Sequence, residues 1–379
     1  MTFYYLHFNE STTPNHFPFW HYGAIGKANH DHEQALEHIG FKRIDAFTYD
    51  WPSEPDNVLD ARLDGIFAGL KINDVVIVTW PIRPTRANSW LQKLFDRIKA
   101  FGAKLVFWID DVETWRHESK LPAGLTPANA GPYMDTEALG IEAYFIALAD
   151  GLILHSPQMR ERLAAQLALA GKQMPSAVSY IGPGGNLASV YQPTRQNGQG
   201  LDYSGSLHKA QFLLELPNTI KVHVFGDVPP DFPEAKCAVV DFKGWMDPEA
   251  VVHSLTGSFG LDWAADSYPQ VDSVLGEYER YNTPSKFAQY LAADEPVIVW
   301  DQSALAPFVT ANHLGFAIPD LTALPAIIQD TTDSEYAAIV ANVQGIGPLI
   351  RSGFYFQQAA LDVIRQVLDK WHTYGQLPQ

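Results

Sequence analysis

The sequence predicts an α/β fold made of two doubly wound domains. Three observations lead there. Short strands without polar alternation are spaced by helices, the pattern of a parallel sheet covered on both faces. That pattern breaks at residues 182–200, "GPGGNLASVYQPTRQNGQG", a stretch rich in Gly, Pro, Asn and Gln that reads as a linker, and restarts beyond it. A chain of 379 residues also favours two domains of ordinary size over one. The expected divisions are 1–190, 200–350 and a final helical segment over 351–379.

In the first half, "FYYLHF" is an apolar strand, and "HDHEQALEHIG" a short helix ending at Gly40. "RIDAFTY" is a strand, and "DNVLDARLDGIFAGL" a helix expected to be capped by Asp56. "DVVIVTW" and "KLVFWID" read as buried strands around the amphipathic helix "NSWLQKLFDRIKAFG", which Gly102 stops. The helix "DTEALGIEAYFIALAD", strand "GLILHS", helix "PQMRERLAAQLALAG" and strand "SAVSYIG" complete this half. Beyond the linker come strand "LDYSGS", helix "HKAQFLLEL" and strands "IKVHVFG" and "CAVVDF". The helix "PEAVVHSL", capped by Asp247, leads to strand "SFGLDW". "YNTPSKFAQYLAADEPVIVW" then reads as turn, helix and strand: Thr283 is placed to cap, Pro284 to open the helix, and Phe287, Tyr290 and Leu291 form its apolar stripe. "SALAPFVTANHLG", "FAI", "LPAIIQDT" and a long last helix, "YFQQAALDVIRQVLDKW", follow.

Composition narrows the function. The chain is 46% hydrophobic and 18% charged, as a globular protein is, with a formal net charge of −17. Such a chain repels polyanions, so nucleic acid and anionic membrane surfaces are not expected partners. A local anion site must then be built from a few placed cations and backbone amides. The single cysteine, Cys237, allows no disulfide within the chain and no cysteine metal cluster. The amino terminus lacks a basic region before its apolar residues, and no run of about 18 apolar residues exists. The expected location is cytoplasmic.

Ligands of doubly wound sheets bind beyond the carboxyl ends of the strands, in a cleft here expected between the domains. Three such loops of the second half are suggestive: "YSGSLHKAQF", "GLDWAADS" and "YERYNTPSK". Gly205, Ser206 and Lys209 come from the first, Asp262 from the second, and Tyr281, Asn282 and Lys286 from the third. Lys286 stands in the first turn of a helix, where the dipole end is already positive and a capping box would place Glu or Gln. Either lysine alone reads equally well as a solvated side chain. The pair, with their helix starts, favours a diphosphate. On that reading, removing Lys286 relieves repulsion at the helix end of the empty protein.

In the first half, Gly23, Gly26 and Lys27 form a glycine-bearing loop before a helix, open to close backbone approach by a ligand. Asp110, Asp111 and Glu113 lie just past a strand, where a carboxylate suits a general base; a turn cap with a salt bridge to Arg116 is the structural alternative. His30 and His32 do not share a helix face and lack carboxylate partners, so no metal is expected. Of ten tryptophans, most expected in the core, Trp263 stands beside a strand-end loop where a sugar could stack. No GxxxxGK[ST] phosphate loop is present and no GxGxxG follows the first strand, which disfavours ATP phosphoryl transfer and nicotinamide chemistry.

The segment "FGLDWAADS … GEYERYNTPSKFAQYLAADEPVIVWDQSALAPFVTANHLGFAI" resembles the bacterial glucosyltransferase and β-1,6-galactofuranosyltransferase family that builds cell-surface glycans and decorates serine-rich adhesins. "GKANHDHEQALEHIGFK", "KLVFWIDDVETWR" and "LDYSGSLHKAQFL" are similar to that family's segments too. The resemblance implies a GT-B fold of two Rossmann-like domains: an acceptor-binding first domain, a second that holds a UDP-sugar, and a last helix that crosses back. It implies that Lys286 contacts the donor diphosphate, with Tyr281 and Asn282 in the same motif. It implies hexose transfer, of glucose or galactofuranose, from a UDP-sugar to a hydroxyl of a glycan or glycosylated acceptor, with no cofactor and no metal. A homo-oligomer is compatible with the sequence. A non-catalytic binding or stabilising subunit, and a nucleotide-sugar 2-epimerase, are the rival readings. Two departures stand out. Many relatives carry glycine where this chain has Asp294, before Glu295 and Pro296. Retaining enzymes of the fold often carry Glu-x7-Glu where this chain has Tyr281 and Gln289, which implies inversion and leaves the base unassigned.

Overall fold

Two six-stranded, wholly parallel sheets organise the chain, each within its own unit. The computed structural model describes residues 1–10, 23–48, 55–82, 88–116, 136–189, 194–228, 232 and 240–368. Cys237 and the tail beyond 368 lie outside them. Among described residues the first unit holds 1–10, 33–181 and 356–368, and the second holds 23–32 and 182–355.

The first unit runs β1 (Phe3–Glu10), α1 (Ala24–His38), β2 (Lys42–Thr48), α2 (Asp56–Phe67), β3 (Val75–Trp80), α3 (Asn88–Ala100), β4 (Lys104–Ile109), α4 (Glu113–Arg116), α5 (Thr136–Ile146), β5 (Gly151–Leu154), α6 (Pro157–Leu169) and β6 (Ala177–Tyr180). Its sheet order is β2-β1-β3-β4-β5-β6. The core beneath it gathers Tyr5, Val75, Ile77, Val106, Trp108 and Ile153. Into that core packs α13 (Phe354–Val367), through Phe356, Ala359, Ala360, Val363 and Ile364. Gly151 makes this approach possible, because a Cβ there would stand 2.8 Å from Val363 and 2.7 Å from Val367.

The second unit runs β7 (Leu201–Ser204), β8 (Val222–Phe225), β9 (Val240–Gly244), α7 (Pro248–Ser254), β10 (Phe259–Asp262), α8 (Val274–Tyr278), α9 (Ser285–Ala292), β11 (Val297–Trp300), α10 (Ala306–Asn312), β12 (Gly315–Ile318), α11 (Leu324–Asp330) and α12 (Asp333–Arg351). Its order is β12-β11-β10-β7-β8-β9. The chain therefore leaves β7 in one direction and returns at β10 to fill the other. The switch point, where loops diverge, lies between β7 and β10. The central strands of both sheets are buried on both faces, which is why they read as continuous apolar runs.

Several local expectations need correction. Helix α1 starts at Ala24, so Gly26 and Lys27 are helical and do not form a loop. A glycine inside a helix costs roughly 1 kcal/mol. The buried i,i+4 pair of Lys27 and Asp31, 2.5 Å apart, favours this turn despite that cost. Asp56 is the first residue of α2 and does not cap it; Pro55 holds the cap position without a side-chain bond. Thr283 is not the cap of α9 either: Pro284 is, again without a side-chain bond. The expected helix over 208–216 is two 3-10 turns, Leu207–Lys209 and Gln211–Glu215. Between them Ala210 pairs with Ala265, whose N–H takes the Lys209 carbonyl at 3.1 Å, so a tertiary bridge replaces the helical ladder.

Helix α12 was not expected, because Gly345, Gly347 and Pro348 punctuate it. A capping box of Thr332 and Glu335 starts it. Its last turn explains the departure at 294. Asp294 has φ 55°, a left-handed conformation that glycine adopts freely and aspartate tolerates. Its buried carboxylate accepts from Arg351 Nη1 at 2.7 Å, and the same nitrogen donates to the Ala292 carbonyl at 2.8 Å. A Cβ at Gly347 would stand 2.5 Å from that carboxylate, so glycine there makes room for it. Breaking a buried pair leaves an uncompensated charge and costs about 3–5 kcal/mol. Arg351→Ala is expected to destabilise the parent by that amount and an Asp294→Gly background far less. Urea midpoints around this double-mutant cycle should give a coupling above about 1 kcal/mol.

Candidate functional site

The switch point of the second sheet brings together most of the residues the sequence singled out there. Strand β7 ends at Ser204, and the chain turns at Gly205, with φ 151°. Gly205 approaches the next strand so closely that a Cβ on Gly226 would stand 2.0 Å from its carbonyl oxygen. Ser206 caps the first 3-10 turn by accepting from the His208 N–H. Strand β10 ends at Asp262, and Trp263 follows. Tyr281 and Asn282 lie in the turn before α9, their N–H groups donating to the Tyr278 carbonyl at 2.9 and 3.2 Å.

Helix α9 is set against both central strands by Tyr290. Its hydroxyl accepts from the Ser204 N–H at 2.8 Å and donates to the Leu261 carbonyl at 3.2 Å. The ring lies flat over β10 because residue 260 is glycine; a Cβ there would be 2.2 Å from the ring. The preceding residue, Gln289, accepts through Oε1 from the Ser204 hydroxyl at 2.6 Å. These contacts place Lys286 over the strand ends.

Lys286 Nζ donates to the Trp263 carbonyl at 2.7 Å. It stands 3.2 Å from Asp262 Oδ1 and 3.6 Å from Glu279 Oε1, and 5.1 Å above the Tyr203 ring. The cation at a positive helix end is therefore met by two carboxylates of the protein itself. This corrects the expectation that removing Lys286 relieves repulsion: it would strand two buried acids. Burial alone would lower the lysine pKa. Tyr203, Asp262 and Glu279 outweigh it and hold the ammonium above the ordinary lysine range. Burial raises Asp262 against the pull of Lys286. Burial, opposed first by Lys286, pushes Glu279 up to about 8, with Lys209 close enough to act on it. Trp263 is wholly buried in the core and offers no stacking face. Glu279 was not singled out from sequence; its signal was a carboxylate in the same strand-end loop, two residues before Tyr281.

In the first unit, Asp110, Asp111 and Glu113 follow β4. Arg116 Nη1 donates to Asp111 Oδ2 at 2.7 Å and lies 3.5 Å from Glu113 Oε1. The Glu113 N–H and the Thr114 hydroxyl both donate to Glu142, at 3.1 and 2.5 Å, and burial raises that carboxyl. Asp110 contributes its backbone carbonyl, 2.9 Å from His155 Nε2. Burial lowers His155 to about 4, so it is neutral at ordinary pH and a weak proton acceptor. Trp115, with its Nε1 donating to Gln166 at 2.6 Å, anchors this turn in the core. Neither histidine nor carboxylate stands out as a base by geometry.

Gly23, Gly26 and Lys27 fall in the second unit. Lys27 Nζ, 2.5 Å from Asp31, also donates to the Leu187 carbonyl at 2.8 Å and lies 3.4 Å from Glu249. Asp31 Oδ2 accepts from the Leu187 N–H at 2.9 Å. Burial pushes the Asp31 carboxyl up to about 6 against the pull of Lys27. The two side chains thus grip both polar atoms of one linker residue. Lys27→Ala is expected to cost about 3–5 kcal/mol of stability, read as a lowered melting temperature. A loss of ligand affinity with unchanged stability would contradict this structural role.

Comparison with known proteins agrees with this architecture. A model described as "Glucosyltransferase 3-like, N-terminal domain" matches residues 15–168, and its C-terminal counterpart matches 201–363. Glucosyltransferase 3 of Streptococcus gordonii is 27% identical over 92% of this chain and 97% of its own. The β-1,6-galactofuranosyltransferase WbbI of Escherichia coli is 25% identical over 83% of this chain and 86% of its own. Two solved structures share the fold over 98% of this chain and all of theirs: a glycosyltransferase from Rickettsia africae, at 10% identity and TM-score 0.58, and Anabaena HepE in complex with UDP-glucose, at 11% and 0.53. Among the described residues no helix is long and apolar enough to cross a membrane.

Proposed function

Because the chain belongs to the glucosyltransferase 3-like family and has the GT-B fold, we propose that it transfers a hexose, glucose or galactofuranose, from a UDP-sugar to a hydroxyl of a glycan or glycosylated acceptor. The observation that carries this reading is the switch point of the second sheet. There Gly205 and Ser206 turn away from β7, Asp262 ends β10, and Lys286 stands over both. Backbone amides and a lysine at strand ends suit a diphosphate. As the sugar leaves, negative charge grows on UDP. A fixed cation aimed at that charge is worth about 3 kcal/mol in the transition state. Lys209, Tyr281 and Asn282 are assigned to the same donor site.

Two finer points belong to the proposal. Gln289 occupies the second acidic position of retaining relatives, and its amide is engaged by Ser204, which supports inversion. The second point is that the reaction needs no metal, as the resemblance to the family implies. Activity is expected to survive EDTA; complete loss with rescue by magnesium or manganese would oppose that point. The acceptor base is proposed among Asp110, Asp111 and Glu113, with Asp111 and Glu113 first needing release from Arg116.

The test is UDP release and sugar transfer from labelled UDP-glucose and UDP-galactofuranose. Lys286→Ala should reduce transfer at least about 100-fold and weaken UDP binding. It should also lower stability, so binding is read at a temperature where both proteins are folded. Binding of UDP without any turnover would favour a non-catalytic subunit. Lys286→Ala binding UDP as tightly as the parent would remove the donor-site assignment.

A further inference from the structure

The acidic side chains around Lys286 impose a condition on any anion that is to meet it. One ammonium faces two carboxyl groups, at 3.2 and 3.6 Å. With both ionised, the cluster carries a net negative charge before a diphosphate arrives. Like charge in a buried site is strongly unfavourable. A diphosphate therefore gains most from Lys286 where one of the two acids holds a proton. Asp262 lies closer to the ammonium and forms the tighter pair. Glu279 lies farther off, its side chain 5% exposed; Asp262 Oδ1 and Glu279 Oε2 are both buried without a hydrogen-bond partner, but Asp262 Oδ1 has the ammonium 3.2 Å away, whereas Glu279 Oε2 is not the oxygen that faces it. A carboxylate keeps such an atom at high cost; a carboxylic acid carries a proton there and becomes a donor.

We propose that Glu279 is the proton-carrying positioning residue of the donor site, protonated whenever the diphosphate of the UDP-sugar binds against Lys286 and taking the proton from solvent where pH leaves the empty site ionised. This rests on the donor-site reading above. The proton neutralises the second acid, leaves the lysine charge available to the diphosphate, and turns Glu279 into a hydrogen-bond donor.

Among the described residues, titratable groups from four neighbouring elements face Glu279. Lys286 comes from α9, Asp262 from β10, Tyr203 from β7 and Lys209 from the turn after β7. Lys286 stays cationic because its pKa is held above the ordinary range. Tyr203 stays neutral because burial raises its hydroxyl. On the adjoining turn, Arg280 is engaged by Glu277 at 2.6 Å and by Gln302. The sign follows. A ligand that favours the protonated acid binds best below the acid's own pKa and loses affinity as pH rises through it. For Glu279 that rise begins at about 8.

The experiment is calorimetric titration with UDP-glucose, whose diphosphate does not itself titrate near neutrality. It is run at two pH values, about 6.5 and about 9, in buffers of different ionisation heat. The parent should take up close to one proton at the higher pH and almost none at the lower. Its affinity should fall by roughly tenfold per pH unit above the Glu279 pKa. Glu279→Gln should bind with no uptake and a flat pH profile. Binding without proton uptake in the parent at high pH overturns the proposal, and that result needs no variant to fold. Equal uptake in Glu279→Gln takes the proton off Glu279 and overturns it as well. UDP-glucose binding that ignores Lys286→Ala overturns the donor-site reading itself. Binding that needs Lys286 but is flat with pH sinks the present inference alone.

Discussion

A lysine ammonium that is largely buried must be answered by charge and by hydrogen bonds, and the strand ends of the second unit are arranged around that requirement. Lys286 reaches the carbonyl after β10, the carboxylate that ends β10, and a carboxyl from the turn after α8. The end of β10, the turn after α8 and the start of α9 are thereby tied at the place where the sheet changes direction. Tyr290, one turn along the same helix, makes the matching bonds to β7 and β10. The lysine can be held so deep only because the helix carrying it is fixed to both strands. Gly260 is part of the same arrangement, since any side chain there would lift the Tyr290 ring.

The α/β class and most strands were legible because buried parallel strands leave unbroken apolar runs. The residues of the switch point were legible because topology sends ligands to strand ends, and the loops there carry Gly, Ser and Lys. What escaped was decided by tertiary contact. The turns at 207–215 look helical by composition, yet the Ala210–Ala265 bridge diverts their backbone. Helix α12 looks broken by glycine and proline, yet its capping box and packing carry it through. Lys27 looked like a ligand-facing cation beside two glycines. Its partner Asp31 was four residues away in plain view, but only the fold brings Leu187 between them.

The linker shows the same logic with backbone acceptors. Arg195 donates to the carbonyls of Ala293, Leu255 and Gly257, at 2.6, 3.0 and 3.4 Å, and lies 3.9 Å from Glu295. Glu295 is wholly buried beside Asp202, and burial followed by that neighbour raises it well above the carboxylate range. A segment that reads as featureless by composition is thus held at both ends by buried cations, Lys27 near residue 187 and Arg195 beyond it. Composition alone marks where a sheet stops. It does not show how firmly the intervening chain is fastened.

The contact among Asp294, Gly347 and Arg351 bears on how this chain diverges from its relatives. Aspartate holds the left-handed turn position at 294 because an arginine one helix away answers its charge and a glycine between them leaves space. None of the three residues is a tolerable choice by itself. An arginine without the acid would be a buried cation left with the Ala292 carbonyl and no counter-charge from Asp294, and a side chain at 347 would collide with the acid. The three positions are therefore coupled: glycine at 294 would leave the other two open to change, whereas aspartate locks them. Transplanting the turn between relatives, or building chimeras of their second domains, therefore requires moving residues more than fifty positions apart together.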